Sequence, residues 1–481
     1  MDQVTTAASK PTTFLAKAAS ELGVDSIVGS TRDTKLLCLQ RFIRLFAYGA
    51  STLILVLYLS SLGISEARIG LFMTLTLLGD VVISFGLTLF ADGLGRRRIL
   101  VLGAALMSAS GVVFAFSGNY WVLVAASIFG VISPSGNEIG PFRAIEESTL
   151  AQLTPSNIRS DIFAWYTLIG TAGTAIGTII CGWLVQGLQA RDGWAGTRAY
   201  RVIFGLYAFL GMLKLASSLM LSDKCEPEPE KQERHDAVEL GAVEAAGLLS
   251  DDDEADDPPK PKNTATPSAA PKKKKSIWPQ ITPASRAILL KLCLLFAVDS
   301  MASGLVPASW VTYFFTKKFR LPEGELGTLF FVTNIISAAS NLVASSIAKR
   351  IGLVRAMVFT HLPSAIFLAL IPLPSVVWLA MTFLILRSCS QSMDQAPRQA
   401  FLAAVVLPTE RTAVMGVVNV IKTLSQSVGP VVTGWLAGID KFWIVFMLAG
   451  AMKASYDLGM LRMFLGHQTQ EDRRPEGRQD A

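Results

Sequence analysis

The stretch GTIICGWL at residues 177–184 returns as GPVVTGWL at residues 429–436, so the pattern G-x-x-x-x-G-W-L occurs twice, 252 positions apart. Arg159 and Arg411 are separated by the same 252 positions, and each lies 18 residues before the first glycine of its copy. The match therefore includes the segment that leads into the motif. This agreement indicates that the chain is a duplication with two homologous halves.

Other residues pair at slightly larger separations, as insertions between two copies would produce. These pairs are Gly70 with Gly327 and Gly95 with Gly352, both 257 positions apart, and Glu138 with Asp394 and Pro141 with Pro397, both 256 positions apart. Two homologous halves in an apolar chain predict a transporter built from parallel repeats, with its binding site between the halves near the middle of the bilayer.

The composition predicts a membrane protein. Hydrophobic residues make up 51% of the 481 residues and charged residues 17%, whereas a soluble domain carries about a quarter charged residues. Apolar stretches of about 20 residues, long enough to cross the hydrocarbon core as a helix, recur throughout the chain. They predict twelve spans, near residues 36–62, 67–91, 98–117, 120–142, 160–187, 200–221, 286–315, 326–348, 354–372, 375–397, 410–437 and 441–465.

A polar segment divides the twelve predicted helices into two groups of six. Residues 222–285 contain Glu-Pro repeats, the acidic run 251–257 and the lysine run 272–275, and such low-complexity sequence does not form a packed core. An even number of spans on either side places this linker on the same face as both termini, and basic residues beside the spans favour the cytoplasm for that face. The predicted organisation is a cytoplasmic N-terminal tail (1–35), an N-terminal six-helix bundle (36–221), a disordered cytoplasmic linker (222–285), a C-terminal six-helix bundle (286–465) and a cytoplasmic C-terminal tail (466–481).

The loop between the second and third predicted helices reads TLFADGLGRRR at residues 88–98. It resembles the signature G-x-L-x-D-R-x-G-R-R/K of the major facilitator superfamily through Asp92, Gly95, Arg96 and Arg97, while three other positions differ. The resemblance implies an all-α membrane protein of twelve transmembrane helices in two pseudo-symmetric six-helix bundles. It also implies a gating role for these four residues, in which Asp92 and the arginine behind it form a cytoplasmic latch against the start of helix 11. The alternative is that the arginines only orient the chain in the membrane.

Four ionisable residues fall near the middle of predicted spans, where charged side chains are costly and usually functional. They are Asp80 in the second span, Asp299 in the seventh, Arg387 in the tenth and Lys422 in the eleventh, and they are our candidates for substrate binding or ion coupling. The family resemblance implies that Asp299 and Arg387 face a central cavity and that Asp80 and Lys422 approach each other. Asp299 is expected to exchange a proton during the cycle unless a cation lies near it. The alternative for each residue is a structural polar pair.

A second candidate set lies at the cytoplasmic ends of helices 4 and 10. Glu138 and Asp394 are repeat partners, and each is followed by a proline and an arginine. Arg143 and Arg398 are predicted to clamp these carboxylates, which gives each half a charge pair that gates the cavity. A proton site is the alternative.

Other charged residues in the spans are expected to be structural. Lys214 and Lys453 lie in similar segments of helices 6 and 12, and Asp457, one turn after Lys453, is its expected partner. Arg41 and Arg44 are expected to anchor the cytoplasmic end of helix 1 at the membrane interface.

Three functional classes remain open. The first is a secondary transporter that moves a small solute by alternating access, with carboxylates available for proton coupling. A passive facilitator shares the fold and needs no titrating acid, and a non-transporting membrane sensor uses the fold to bind a ligand. An enzyme is disfavoured, because the three histidines, at positions 235, 361 and 467, belong to no Ser-His-Asp, zinc or phosphate-loop pattern.

The sequence predicts no metal, cofactor or nucleic-acid partner. The five cysteines have neither metal spacing nor a secreted disulfide pattern. The expected partners are the lipid bilayer and a small-molecule or ion substrate, and the chain is expected to be a monomer. An acidic dileucine pattern at Glu244, Leu248 and Leu249 in the linker favours the plasma membrane or a vacuolar or lysosomal membrane.

Overall fold

The computed structural model describes residues 23–130, 132, 141–194, 196–226, 283–406 and 411–464, and these residues form α-helices, one short 3-10 helix and no strand. The α-helices are α1 (Val24–Val28), α2 (Arg32–Ser61), α3 (Glu66–Leu94), α4 (Arg96–Phe116), α5 (Tyr120–Phe129), α6 (Pro141–Leu153), α7 (Arg159–Gln189), α8 (Thr197–Leu219), α9 (Pro283–Leu305), α10 (Ala308–Phe319), α11 (Glu323–Ile351), α12 (Leu353–Leu370), α13 (Val377–Ser388), α14 (Gln395–Val405), α15 (Arg411–Gly438) and α16 (Phe442–Phe464). Within the described residues, eight helices are long and apolar enough to cross a membrane.

Three predicted spans differ from the structure because each is divided into two helices. The seventh span, predicted as 286–315, consists of α9 and α10, since Pro307 has no N–H to donate to a continuous helix. The tenth, predicted as 375–397, consists of α13 and α14, separated by residues 389–394. The fourth, predicted as 120–142, contains α5, and α6 continues well beyond its predicted end.

The bundle has two sides, which we name by the chain segments that they carry. The linker side carries the end of α8 and the start of α9, between which the polar linker lies in sequence. The opposite side is marked by exposed tryptophans at helix ends: Trp121, Trp183, Trp378, Trp435 and Trp443. Tryptophan is enriched at membrane–water interfaces, so these residues place the opposite side at one boundary of the bilayer.

The first glycine of the repeated motif packs helices together within each half. A Cβ on Gly177 of α7 would collide with the backbone carbonyl of Phe46 on α2, and a Cβ on Gly429 of α15 would collide with the backbone of Gly304 on α9. Small residues allow helix backbones to approach closely in lipid. The motif therefore fixes the same helix pair in each copy of the repeat.

The second glycine of the motif packs the two halves against each other. Gly182 of α7 lies against Gly327 of α11, and Gly434 of α15 lies against Gly70 of α3. The two contacts are related by the internal repeat. The motif that reveals the duplication in sequence is thus the motif that joins the halves in the structure.

Candidate functional site

The two halves are joined by hydrogen bonds near the opposite side. Within the described part of the chain, hydrogen bonds between the halves include those of Thr74 with Ser427, Trp183 with Thr328, Gln186 with Gly324, Gln189 and Tyr200 with Glu323, and Tyr313 and Lys317 with Glu66. The deepest of them is the contact between the Thr74 hydroxyl and the Ser427 carbonyl, at 2.7 Å. The halves are therefore held closed on the opposite side.

Two carboxylates related by the repeat contribute to this closure. Glu66 begins α3 and Glu323 begins α11, 257 positions later. The Tyr313 hydroxyl donates a hydrogen bond of 2.8 Å to Glu66, and the Tyr200 hydroxyl donates one of 2.6 Å to Glu323. Each carboxylate thus accepts a hydrogen bond from a tyrosine of the other half, although the two tyrosines belong to different spans, Tyr313 to the seventh and Tyr200 to the sixth.

Asp80 lies at the middle of α3, six residues further toward the linker side than Thr74. It shares a helix face with the buried Met73 and lies opposite the exposed Leu71 and Val82, since a helix has 3.6 residues per turn. No described residue forms an ion pair or a hydrogen bond with its carboxylate. Asp80 is therefore a carboxylate at mid-depth that faces away from lipid and has no partner in the described structure.

Lys422 lies on the face of α15 that packs against α9, in line with the buried Gln426. Its Nζ atom is 5.7 Å from the ring centroid of Phe296, and it forms no ion pair within the described residues. The predicted pair with Asp80 is absent from this conformation. The physical reason is rotational, because the face of α15 that meets α3 carries Ser427, well over a quarter turn away from Lys422.

Arg387 lies near the end of α13, where the tenth span breaks. It shares a helix face with the buried Ala380 and lies opposite the exposed Trp378. Its Nε atom is buried without a hydrogen-bond partner, and the described structure gives its guanidinium no ion pair. Arg387 and Lys422 are therefore two cations of the C-terminal half that lack carboxylate partners among the described residues.

Asp299 is 4% exposed and is neutralised within its own half. Its two carboxylate oxygens accept hydrogen bonds from Lys453 Nζ at 2.8 Å and from a guanidinium nitrogen of Arg398 at 3.1 Å. These cations stabilise the ionised carboxylate, so the condition for proton exchange at Asp299, the absence of a nearby cation, is not met. The prediction that Lys453 pairs with Asp457 is wrong, because Lys453 reaches across to α9.

The predicted contact between Asp394 and Arg398 is present at the start of α14. Arg398 bridges Asp394 and Asp299, and its guanidinium lies over the rings of Phe296 and Tyr456, at 5.4 and 5.2 Å from their centroids. The residue therefore links the break in the tenth span to the seventh and twelfth spans. A movement of the segment between α13 and α14 would therefore displace Arg398 and change its contact with Asp299.

The corresponding pair of the N-terminal half is only partly described. Glu138 lies outside the described residues. Arg143 forms an ion pair of 2.7 Å with Glu147, one turn further along α6. The predicted contact between Glu138 and Arg143 stays a prediction.

A buried charge cluster of the N-terminal half is centred on Glu146. Its carboxylate accepts hydrogen bonds from Arg44 at 2.7 Å, Lys214 at 3.1 Å and the Tyr166 hydroxyl at 2.6 Å. The expectation that Arg44 is an interface anchor is wrong, because this side chain lies inside the bundle. Sequence reasoning missed Glu146, which falls beyond the predicted end of the fourth span.

The two clusters occupy related places with different charges. Lys214 and Lys453 occupy matching places in the last helix of the N-terminal and C-terminal halves. Arg44 and Asp299 lie in the first helix of the same two halves. Counted from the matching glycines Gly49 and Gly304, Arg44 and Asp299 are both five residues earlier. The central acid comes from the fourth span in one half and from the seventh in the other. The fold thus carries two charge clusters that are not copies of each other.

His361 and Asp457 form a further buried pair between α12 and α16. The His361 Nδ1 atom lies 3.0 Å from both carboxylate oxygens of Asp457. Sequence reasoning missed this pair as well. An intramembrane histidine was the available signal, because ionisable residues in spans are rare and usually partnered.

The arginines of the loop after α3 contact their own half on the linker side. Arg96 donates a hydrogen bond of 2.7 Å to Gln152, and Arg97 forms an ion pair of 3.0 Å with Asp223. Gly95 has a φ of 88°, which favours glycine at this turn. The Asp92 side chain lies outside the described part of the structure, so its predicted contact with helix 11 stays a prediction.

Among the described residues, no group of three or more His, Cys, Asp or Glu residues could hold a metal ion. The five cysteines form no disulfide with one another, and Cys389 alone is exposed.

A family model describing the Major Facilitator Superfamily matches residues 37–308 and 292–480. The chain therefore belongs to this superfamily of transporters. It is an integral multi-pass membrane protein with the twelve-helix fold of that family, and it is a transporter and not an enzyme.

Two relatives place the chain among known sequences. It is 41% identical over 440 residues to the uncharacterised membrane protein YJR124C of Saccharomyces cerevisiae, which covers 91% of this chain and 95% of the yeast protein. It is 28% identical over 169 residues to the quinolone resistance protein NorA of Staphylococcus aureus, which covers 35% of this chain and 39% of NorA.

Solved structures share the fold at low sequence identity. A bacterial homologue of the human lysosomal transporter Spinster, in an inward-facing and occupied conformation, matches with a TM-score of 0.64 and 13% identity over 92% of this chain and 98% of its own. A D-xylose–proton symporter matches with a TM-score of 0.64 and 14% identity over 89% of this chain and 96% of its own. The nucleoside transporter NupG matches with a TM-score of 0.62 and 14% identity over 90% and 99%. At such identities these likenesses concern the fold alone.

Proposed function

We propose that this protein is a secondary active transporter that moves a small anionic solute by alternating access and couples this movement to protons. The proposal rests on one observation: three of the four charged candidates at mid-depth have no oppositely charged partner among the described residues. Asp299 is neutralised by two cations of its own half. Lys422 and Arg387 have no carboxylate partner there, and Asp80 has no cation.

Two cations without partners favour an anionic ligand. An isolated charge at the centre of a membrane helix costs about 2.5–3.5 kcal/mol on insertion scales. A carboxylate, phosphate or sulfate group of a solute offsets that cost when it binds beside Lys422 or Arg387. Both residues belong to the C-terminal half, so we expect the anionic group to bind on that side of the cleft.

Asp80 is the residue that we assign to proton coupling. It lies on the linker side of the deepest contact between the halves, at Thr74, and about 9 Å along the helix from it at 1.5 Å per residue. An ionised carboxylate without a partner is unfavourable in a closed, dry site. Protonation removes this cost, so a change of water access around Asp80 can load or release a proton.

The closure at the opposite side supports alternating access. With the linker in the cytoplasm, the closed side faces away from the cytoplasm, as an inward-facing state of the proposed cycle requires. Opening the opposite side requires the hydrogen bonds of Glu66 with Tyr313 and of Glu323 with Tyr200 to break. We propose that the linker side then closes, with Asp92 latching against helix 11 and the pair of Asp394 with Arg398 rearranging.

The structural relatives support transport by alternating access, but they do not identify the solute, which must be inferred from the residues of this chain. The solved structures that share the fold include a D-xylose–proton symporter and a nucleoside transporter, so the fold serves solutes of different chemistry. The choice of an anion therefore rests on Lys422 and Arg387.

An uptake assay in proteoliposomes tests the proposal. Purified protein is assayed with a panel of radiolabelled mono- and dicarboxylates, phosphate and sulfate, with D-xylose and a nucleoside as neutral probes, in the presence and absence of an imposed pH gradient. We expect gradient-stimulated uptake of at least one anion, and a loss of about tenfold or more in Lys422→Gln, since a removed charge contact is worth about 1.5–3 kcal/mol. Lys349→Gln, an exposed lysine at the end of α11, is the matched control.

Other outcomes of the assay assign other functions. Anion uptake that ignores the pH gradient identifies a passive facilitator. Uptake confined to neutral probes contradicts the anion assignment. Specific binding of a probe with no uptake identifies a sensor.

We propose that the protein resides in the plasma membrane or in a vacuolar or lysosomal membrane. The support is the acidic dileucine pattern at Leu248 and Leu249, which lies outside the described residues. A fluorescent fusion should move to another membrane when both leucines are replaced by alanine. An unchanged distribution removes this support.

A further inference from the structure

We propose that His361 and Asp457 form a second proton-binding site, buried between α12 and α16 in the C-terminal half. The two residues are 2% and 1% exposed, and His361 Nδ1 lies 3.0 Å from both carboxylate oxygens. This geometry fits an Nδ1–H that donates to the carboxylate. An incoming proton then adds to Nε2 and converts the imidazole to imidazolium.

The internal repeat supplies a structural comparison for this pair. Gly211 of α8 packs on Ser108 of α4, and Gly450 of α16 packs on Ala365 of α12. These two contacts are equivalent, and they fix the register between the halves. The separation is 257 positions for α4 and α12 and 239 positions for α8 and α16.

In that register, the N-terminal half fills the same place without an ionisable pair. His361 corresponds to Ala104 and Asp457 to Ser218. Ala104 and Ser218 are both 0% exposed, so the two sites are equally buried. The fold can therefore close this helix contact with a methyl group and a hydroxyl.

Energetics argue against a purely stabilising role for the pair. Removing charged groups from water is expensive, and replacing a buried ion pair by well-packed apolar residues of similar volume is often neutral or stabilising. The N-terminal half makes the same helix contact with small uncharged residues. We infer that the C-terminal half carries His361 and Asp457 for their protonation chemistry.

The pair is continuous with the charge cluster around Asp299. Asp457 lies one turn after Lys453 on α16, and Lys453 donates a hydrogen bond to Asp299. Asp299 and Asp394 both act electrostatically on Asp457. The Tyr456 hydroxyl is buried beside the cluster with no hydrogen-bond partner among the described residues.

The helices that pack against α12 carry several ionisable groups. They are Lys453, Tyr456 and Asp457 on α16, Asp394 and Arg398 at α14, Arg387 on α13, and Glu323, Glu325, Lys349 and Arg350 at the two ends of α11. Asp299 of α9 is joined to this group through Lys453 and Arg398. Protonation of the imidazole adds one positive charge to it.

This gain in charge has a functional consequence that rests on the proposed anion transport. An added positive charge in a medium of low dielectric strengthens the attraction of the half for an anion. A proton on His361 then raises the affinity of the site at Lys422, so that proton and anion bind together. Proton binding by the pair is itself independent of the identity of the solute.

Nuclear magnetic resonance of the full chain tests the site directly. The sequence has three histidines, His235, His361 and His467, so protein labelled with 15N-histidine in nanodiscs gives a small set of imidazole signals, and His361→Gln assigns the relevant one. We expect the His361 signals to change from neutral to protonated positions as the sample is acidified. Signals that stay neutral down to the pH at which the protein unfolds overturn the proposal.

Variants of Asp457 test whether this residue, and not the membrane environment in general, controls the protonation of His361. Asp457→Asn should lower the pH at which His361 becomes protonated, because it removes a negative charge at hydrogen-bond distance that favours the imidazolium. Asp440→Asn, at the exposed turn before α16, is the control and should leave that pH unchanged. An equal effect of both variants contradicts the assigned pair.

A double variant copied from the N-terminal half tests the role without disrupting the fold. H361A/D457S introduces the residues found at Ala104 and Ser218, so we expect the bundle to fold, with a melting temperature lowered by the volume lost with the imidazole. We also expect its half-saturation concentration for the transported anion at acidic pH to rise about fivefold or more, as typical coupling free energies of about 1–3 kcal/mol imply. A wild-type protein that moves no anion refutes the proposed transport while the titration still stands, whereas transport with no titration of His361 refutes the proton site alone.

Discussion

The contact of the repeated motif between the two halves can be weakened by a single methyl group. A Cβ on Gly434 would lie 2.8 Å from the Cα atom of Gly70 and closer still to the Glu66 carbonyl. Overpacking of this kind typically costs about 1–3 kcal/mol. The cost falls on the conformation in which the opposite side is closed, so Gly434→Ala should shift the population toward opening on that side by about 5- to 150-fold.

Gly438→Ala is a matched control for this perturbation. Gly438 ends the same helix, and a Cβ there has nothing within 4 Å. Both substitutions change a glycine of α15 to alanine, so their shared effect on helix propensity is compared directly. Only the variant at Gly434 adds a methyl group to the contact between halves.

Electron–electron distance measurements report the opening. Spin labels on Arg198→Cys and Ser375→Cys, two exposed positions of different halves on the opposite side, are introduced with Cys389 replaced by serine; the other four cysteines are buried. We expect a longer-distance population in Gly434→Ala and not in Gly438→Ala. Identical distance distributions in the two variants would refute the role of this contact in holding the halves closed.

Three further predictions concern the buried charges, the closure and the latch. Lys453→Met should lower the melting temperature in differential scanning measurements, because it removes one of the two cations that neutralise Asp299 and leaves Arg398 to balance both Asp299 and Asp394; an unchanged melting temperature would contradict a stabilising role of Lys453. Tyr313→Phe should increase opening of the opposite side in the same distance assay by removing one hydrogen bond worth about 1 kcal/mol, and no shift would argue that the bond contributes nothing. Asp92→Asn should reduce the uptake rate at normal expression while Arg98→Ala has less effect, and equal uptake by wild type and Asp92→Asn would remove the latch.

The architecture could be predicted from sequence because it follows from two robust signals. The repeated glycines fixed the duplication, and apolar length fixed the number of spans. The breaks in the fourth, seventh and tenth spans were not predicted, although each has a local signal in the sequence. Pro307 marks the seventh, Gly130 and Pro134 lie in the fourth, and the polar stretch SCSQSMDQAP at residues 388–397 lies in the tenth.

The charged candidates were located correctly in the spans, but their partners could not be predicted. Pairing depends on the rotation of each helix about its axis, which determines that Lys422 faces α9 while the contact at Ser427 faces α3. The number of residues between two positions does not tell how two separate helices are rotated relative to each other. For the same reason Lys453 was assigned to the near neighbour Asp457 and not to Asp299.

Errors at helix ends explain the cluster that was missed. The fourth span was predicted to end at residue 142, which placed Glu146 outside the membrane, although α6 continues to Leu153. The first span was predicted to begin at residue 36, although α2 begins at Arg32, so Arg44 lies about 18 Å into the helix. Boundary errors of 11 residues in the fourth span (153 − 142) and 4 residues in the first (36 − 32) therefore concealed a buried ion pair.

Proton coupling through Asp80 is the central claim, and solute accumulation tests it most directly. Proteoliposomes containing wild type, Asp80→Asn or the exposed control Asp192→Asn are assayed for accumulation driven by a pH gradient and for counterflow of the same anion without a gradient. We expect Asp80→Asn to lose gradient-driven accumulation and keep counterflow, while Asp192→Asn keeps both. Accumulation by Asp80→Asn at the wild-type level would contradict proton coupling through this residue.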